Sequence, residues 1–502
     1  MPTPQQPIKA PWAPLKERLR VIRAFRRRLA SESESVARQI EDEVGTPFFE
    51  ALTADVMPVL AACKWLESRA PRLLKPRRRG VNGMIAMGQR HTVARVPLGK
   101  VGIIATWNYP VGLLGVQSAQ ALAAGNTLVV KPSEHSPRVQ DRLCALWHEA
   151  GVPEAAQRVL AASRDAGRAM LAGEPGFGAE DGLDHVVFTG STGVGRAIAG
   201  VLAPSLTSST LELSGRDSAF VLDDAPVELA ARELWWAVTA NAGQTCMAPK
   251  RILVEPGVYA EFCRCLGALA AGAQPRRLIT PEAAQAAYAQ AQQALAIGGR
   301  ILSGICEPPS EAGELRALAI ADCPPWAELV AGRNFGPVVA VVPVSGLDEA
   351  VSIHRACDQH LATSVWTKRV GRARRELAPM LGSTNVTIND VLKPTAHPGI
   401  PIGGHGASGW GLSQGVEGLL GLTRPLAVSA TPRLARIPVD DPGQAGANRI
   451  ARWVKRAYGA AAGGGPAVAS PTPPPASGPP RASEPATQAR PASTPAGTEH
   501  AR

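Results

Sequence analysis

The sequence predicts an α/β fold built on a mainly parallel sheet with helices on both faces. Three observations carry that expectation. Short runs that are apolar on both faces recur at Val101-Gly-Ile-Ile-Ala-Thr-Trp107, Asn126-Thr-Leu-Val-Val-Lys131 and Asp184-His-Val-Val-Phe-Thr189, as strands buried on both sides require. Helical stretches separate them, in the βαβ order that yields parallel pairing. The third run leads straight into a small-residue turn, Gly190-Ser-Thr-Gly-Val-Gly195, and ligands of such folds sit at the carboxyl ends of the strands.

Residues 11–75 come first and alternate apolar and charged positions at helical spacing, with breaks expected at Gly45-Thr-Pro47 and at Ala70-Pro71. The arginine-rich stretch Lys16 to Arg28 reads as an amphipathic helix with Leu15, Leu19, Ile22, Phe25 and Leu29 on one face. Strand-like pieces follow from Gly80, notably His91 to Val96. The strand beginning at Val101 ends in Asn108-Tyr-Pro110, and residues 112–124 form an apolar helix. The strand closing at Lys131 is followed by Pro132-Ser-Glu134 and a helix through Leu146–Ala150 capped by Gly151. Arg158–Leu160 and Asp184–Thr189 continue the alternation. The turn Gly190–Gly195 opens a helix expected from Arg196 to Leu202, and its backbone N–H groups would suit a phosphate-bearing ligand. Its spacing departs from Gly-x-Gly-x-x-Gly, so an ordinary tight turn explains this segment equally well. A second α/β region runs to about residue 385, and a glycine-dense loop starts at Pro401. Beyond Tyr458, Ala, Gly, Pro, Ser and Thr dominate, the composition of a disordered tail.

With 502 residues, 45% of them hydrophobic, the chain can bury a large core in two or three domains. It contains no apolar run of 18 residues and no signal-like N-terminal segment. A cytoplasmic protein without a transmembrane anchor is therefore expected. The eight cysteines form no Cys-x-x-Cys pair, which argues against a disulfide framework and against a metal site, and suits a reducing compartment. The net charge of +11 permits an anionic partner. Only 4% of residues are aromatic, however, and the basic runs carry no stacking platform, so nucleic acid is not the expected partner.

Two residues stand out chemically. Cys246 lies in Asn241-Ala-Gly-Gln-Thr-Cys-Met-Ala-Pro249, between a long apolar helix and the strand Arg251–Val254. A loop thiol in that position can be presented as a nucleophile, although most free cysteines are inert packing. Glu212 interrupts the apolar stretch Thr210-Leu-Glu-Leu-Ser-Gly215, where a carboxylate is costly unless it is paired or functional.

Taken in order, Thr106-Trp-Asn-Tyr-Pro110, Lys131-Pro-Ser-Glu134, Phe188-Thr-Gly-Ser-Thr192, Leu211-Glu-Leu-Ser-Gly215, Gly243-Gln-Thr-Cys246 and Asn334-Phe-Gly-Pro337 resemble the aldehyde dehydrogenase superfamily. The resemblance runs from about residue 15 to 430 and is strongest to the class 3 and coniferyl aldehyde branch. It implies a parallel-sheet cofactor domain, an α/β catalytic domain and a bridging, oligomerisation sheet. The corresponding division is 1–210 for the N-terminal helices and dinucleotide-binding domain, 211–395 for the catalytic domain, 396–458 for the C-terminal return, and 459–502 for the tail. Strands near 83–97 would join the bridging sheet, and a homodimer is expected.

The resemblance also implies roles. Cys246 would attack an aldehyde carbonyl, Asn108 and the Cys246 N–H would hold the oxyanion, and Glu212 would activate the water that releases a carboxylic acid. Thr106, Trp107, Lys131, Ser133, Glu134, Gly190, Ser191, Thr192, Gly195, Phe335 and Arg333 would face the cofactor. Glu134 suits a ribose 2′-hydroxyl and Lys131 tolerates a 2′-phosphate, so NAD is expected, with NADP accommodated. Two alternatives remain: passing the acyl group to coenzyme A or a carrier, against which Glu212 argues, or a binding protein with impaired catalysis. The second rests on Arg333, which stands where the family usually has a glutamate that accepts bonds from the nicotinamide ribose. Arginine only donates. Either Asn334 substitutes, or Arg333 meets an anionic group, or hydride transfer is impaired. Ile402 replaces a frequent phenylalanine.

Overall fold

In the computed structural model the doubly apolar runs become neighbouring strands. The structure describes residues 11–79, 89–431 and 443–459; the tail expected beyond 459 and the start of the strand region near 83 lie outside these. Residues to Ala435 form one unit. Its first sheet has the spatial order Gly409–Trp410, Ser208–Leu213, His185–Gly190, Lys100–Ile104, Thr127–Lys131, Gln157–Val159. Every pairing is parallel except that of the edge pair Gly409–Trp410 with Ser208–Leu213. The second sheet runs Arg300–Ile301, Leu318–Ala321, Val338–Pro343, Arg251–Val254, Ser218–Val221, Ala362–Trp366, Asn385–Ile388, again parallel apart from one edge. A third sheet, wholly antiparallel, joins Arg77–Arg79, Arg90–Pro97 and Thr423–Ala430.

The N-terminal helices pack on the helices Gly112–Ala124 and Pro137–Ala150 that cover the first sheet. In Leu15–Ser31 the residues Val21, Ile22, Phe25 and Leu29 are buried, and Phe25 stacks on Trp147 with ring centroids 3.5 Å apart. The helix Gly112–Ala124 is buried on nearly all sides, which is why its sequence shows no polar face.

Two expected boundaries move. The break at Ala70-Pro71 is absent, and the helix Met57–Leu73 runs through it. Pro71 falls in the last turn, where its missing N–H removes a single bond, and the fully buried Ala70 keeps that turn docked. The helix expected from Arg196 begins instead at Thr192, capped by the Ser191 hydroxyl accepting from the Val194 N–H. Gly193 and Gly195 are therefore helical, not part of a preceding turn. Gly195 lets this helix approach the next strand, because a Cβ there would stand 2.5 Å from the Leu213 side chain.

A second unit, Arg436–Arg502, contributes one described helix, Gly443–Tyr458.

Candidate active site

The carboxyl ends of three strands of the first sheet meet the Cys246 loop around a cavity of about 320 Å³. Thr106, Trp107 and Asn108 follow the strand Lys100–Ile104, while Gly190 and Ser191 close His185–Gly190. Glu212 comes from Ser208–Leu213, Cys246 precedes Arg251–Val254, and Arg333 and Phe335 precede Val338–Pro343. Nine of the residues singled out from sequence thus line one space. Lys131, Ser133, Glu134, Thr192 and Gly195 do not line it.

The loop carrying Cys246 is held in a strained shape. Asn241, Ala242 and Gly243 have φ of 50°, 52° and 74°, a left-handed run that costs roughly 1–2 kcal/mol at each non-glycine position. Asn241 is tied on three sides: its Oδ1 accepts from Thr46 Oγ1 at 2.7 Å, its Nδ2 donates to Asn108 O at 2.7 Å, and its N–H donates to Glu50 Oε2 at 2.8 Å. Gly243 must be glycine. A Cβ there would lie 2.3 Å from the Gly336 backbone, so the Cys246 loop and the Phe335 loop touch through their main chains. Beneath them the buried Lys250 donates through Nζ to Gly243 O at 3.1 Å and Thr245 O at 3.2 Å.

Asn108 is 4% exposed. Its Oδ1 accepts from Thr106 Oγ1 at 3.1 Å, which orients the amide, and its Nδ2 donates to Gln244 O at 3.1 Å. The amide has two N–H bonds, so one remains to be offered to the cavity. Glu212 is 5% exposed, and its Oε1 has no hydrogen-bond partner among the described residues. The edge strand Gly409–Trp410 covers this carboxylate's strand, and Gly409 comes so close that a Cβ would lie 2.0 Å from Leu211 O. Only a glycine at 409 lets the edge strand come this close to the main chain of the Glu212 strand.

Burial sets the electrostatics. It pushes Glu212 up to about 7, against the opposing bonds of the Ser413 and Gln117 side chains. Cys246, only partly screened by the cavity, is pushed up to about 12 by burial and then by the Glu212 and Asp217 carboxylates, with Lys250 opposing. Burial also brings Lys250 down to about 8. The thiol thus rests protonated, and the nearby cation that opposes this is Lys250.

On the cofactor side, Trp107 meets Phe335 edge-on with centroids 5.8 Å apart. Lys131 Nζ pairs with Glu134 Oε1 at 2.6 Å. Burial would raise Glu134, but this pair outweighs it and holds the carboxyl below its ordinary range, leaving an ionised acceptor fit for ribose hydroxyls. Ser133 offers its N–H to Gln140 Oε1 at 2.6 Å, and Gln140 Nε2 donates to Thr106 O at 2.7 Å, which links this corner to the Asn108 segment. Thr192 Oγ1 donates to Ala407 O at 2.9 Å and accepts from Gln359 Nε2 at 2.6 Å. These groups fit a dinucleotide lying across the strand ends, apart from Arg333. Its exposed side chain has no hydrogen-bond or ion-pair partner among the described residues. Asn334 lines the same cavity, but its amide donates to Val338 O and accepts from the Gly336 N–H at 3.0 Å, so both ends of it already brace its own turn.

Residues 6–428 match the aldehyde dehydrogenase family. The chain belongs to that family. It is 30% identical over 439 residues to a probable coniferyl aldehyde dehydrogenase of Pseudomonas aeruginosa, covering 85% of this chain and 89% of that protein. It is 29% identical over 433 residues to a 4,4'-diapolycopene aldehyde oxidase of a Methylomonas species, with 85% and 79% covered. The crystal structure of a Mycobacterium tuberculosis aldehyde dehydrogenase complexed with NAD+ superposes with a TM-score of 0.77 at 26% identity, covering 87% of this chain and 88% of that one. As in other aldehyde dehydrogenases, the fold is mixed α/β with parallel-sheet domains.

The sequence reading missed several groups that build the site. Lys250 went unremarked, and only its burial and its bonds to two carbonyls of the cysteine loop bring it forward. Arg216 and Gln359 also line the cavity. Arg216 Nε donates to Gln359 Oε1 at 3.0 Å and its Nη2 pairs with Asp358 at 2.9 Å, a link between residues 142 or more positions apart that no local pattern signals.

Proposed function

We propose that this chain oxidises an aldehyde to a carboxylic acid with NAD or NADP, using Cys246 as nucleophile, Asn108 as oxyanion donor and Glu212 as base. The observation that carries the assignment is the orphaned buried oxygen of Glu212 in the same cavity as Cys246 and Asn108. A buried carboxylate oxygen without a partner is costly, and a water bound there would satisfy it.

The Cys246 Sγ loses its proton to cavity water and bonds to the carbonyl carbon. The oxygen's developing charge is received by the Asn108 Nδ2 and the Cys246 backbone N–H, donors fixed before reaction and worth about 10²–10³ in rate for one such group. A nicotinamide cofactor held along Trp107, Gly190, Ser191 and Phe335 would supply the hydride acceptor that the oxidation needs. Glu212, ionised above about 7, then takes a proton from water as its oxygen attacks the thioester. The C–S bond breaks, the acid departs and the thiol is restored. General-base help of this kind contributes about 10²–10⁴.

The same proposal includes a homodimer in a reducing, cytoplasmic setting. In the three-stranded sheet, Thr423–Ala430 is an outer strand with Val428 53% exposed, an edge ready to pair with another copy. The eight cysteines are all free. Among the described residues no helix is long and apolar enough to cross a membrane.

The test is reduced-cofactor formation across an aldehyde panel with NAD and NADP, with products identified in the presence and absence of coenzyme A. Free acid in both cases, lost in Cys246→Ala, is expected. Full activity in that variant would end the proposal.

A further inference from the structure

The helix Gly443–Tyr458 has an arrangement that catalysis does not use. At helical spacing, Ile450, Val454 and Tyr458 fall along one side with Trp453 beside them. Ile450 is 49%, Val454 43% and Tyr458 69% exposed, and Trp453 leans edge-on against Tyr458 at 5.6 Å. The opposite side carries Arg449, Arg452, Lys455 and Arg456, and the helix contains no acidic residue. The 44 residues that follow it, 459–502, include one valine, Val468, and no Leu, Ile, Met, Phe, Trp or Tyr.

We propose that this helix lies in the surface of an anionic lipid bilayer. Its 16 residues are too few to span a hydrocarbon core, which needs about 20, and a polar stripe of four cations forbids spanning. A uniformly basic side opposite an apolar side with aromatic anchors is the pattern of helices that rest at the headgroup level. Charge decides between a lipid surface and a protein groove. A groove without acidic walls would leave the four cations in water and gain little from them. A headgroup plane reaches both flanks of a half-sunk helix, so the apolar residues and the cations contribute together.

The experiment is co-sedimentation of the full-length protein with vesicles of phosphatidylglycerol and phosphatidylcholine, compared with phosphatidylcholine alone. Each cation near such a surface is worth roughly a fivefold change in partitioning, so Arg452→Gln with Arg456→Gln should weaken binding about 25-fold at low salt. Ile450→Glu with Val454→Glu should abolish it. Both double variants should keep wild-type aldehyde oxidation, which reports an intact body. Absence of wild-type binding to the anionic vesicles, or equal binding to neutral ones, would overturn the proposal. So would vesicle binding that survives Ile450→Glu with Val454→Glu. A change in sedimentation coefficient without lipid, lost in the same variant, would assign the helix to self-association instead. Capture by a calmodulin-type acidic groove without vesicle binding would assign it to a protein partner.

Discussion

Replacing Glu212 by glutamine separates its catalytic use from its structural cost. The carboxyl rises from an ordinary 4.5 to about 7 because it is buried. That displacement corresponds to about 3 kcal/mol against the ionised form, at roughly 1.4 kcal/mol per pH unit. Below pH 4.5 the group is neutral in the folded and unfolded chain alike and costs nothing. As pH rises, the unfolded chain releases this proton first, stability falls, and the full penalty is present above about 7. Glutamine keeps the shape without the charge. Glu212→Gln should therefore match the wild type in stability at pH 4 and exceed it by up to about 3 kcal/mol at pH 9, read from urea denaturation at each pH. Catalysis should change in the opposite sense. The wild-type steady-state rate should climb about tenfold between pH 6 and 8 as a base near 7 ionises. The variant should form one equivalent of reduced cofactor per site in a burst and then turn over about 10²–10⁴ more slowly, because the thioester has lost the base that delivers water. A variant with an undiminished steady state would refute the role. A variant with neither burst nor turnover would show that Glu212 acts before the thioester forms. Equal stability at pH 9 would refute the burial argument.

Three further outcomes follow from the same geometry. Asn108→Ala should lower kcat/KM by about 10²–10³ through loss of one oxyanion donor, with cofactor affinity by calorimetry unchanged. Lys250→Met removes the cation that opposes the upward shift of Cys246 and frees the Gly243 and Thr245 carbonyls, so iodoacetamide alkylation of Cys246 at pH 8 should slow severalfold; unchanged alkylation would deny Lys250 that role. Gly243→Ala should leave little soluble enzyme, since the added methyl meets the Gly336 backbone and must also hold a φ of 74°; a normal yield and melting temperature would contradict the close approach.

Much of this was legible in the sequence where one local rule governs. Strands apolar on both faces, such as Thr127–Lys131, announce themselves because a parallel sheet covers both sides. Glu212 was conspicuous for the complementary reason, a charge where the pattern demands none. Tertiary contacts decided what was not legible. Pro71 and Gly193 read as breaks by propensity, yet packing carried the helix through the first and a serine cap placed the second inside another. Lys250 is invisible beforehand, because a lysine beside an arginine at the start of a strand reads as a solvated pair until burial shows it bonded to two carbonyls. The left-handed turn at Asn241 and Ala242 has no local signal either; Thr46, Glu50 and Asn108, all distant in sequence, enforce it.

Arg333 shows how these constraints combine. Its backbone is not free to adapt, because Asn334 is spent bracing the turn to Val338 and Gly336, Gln290 Nε2 donates to the Arg333 carbonyl at 2.6 Å, and Gly336 is pressed against Gly243 of the cysteine loop. The arginine thus stands, where the resemblance leads one to expect a glutamate, on a main chain held at three points. Arg333→Glu should then restore an acceptor for ribose hydroxyls without disturbing Cys246. Cofactor KM should fall by about tenfold, the worth of roughly one charge-assisted hydrogen bond of about 1.5 kcal/mol, while the Cys246 alkylation rate stays put. A rise in cofactor KM instead would mean that the arginine itself binds an anionic group of the cofactor. An unchanged KM would place the ribose out of its reach.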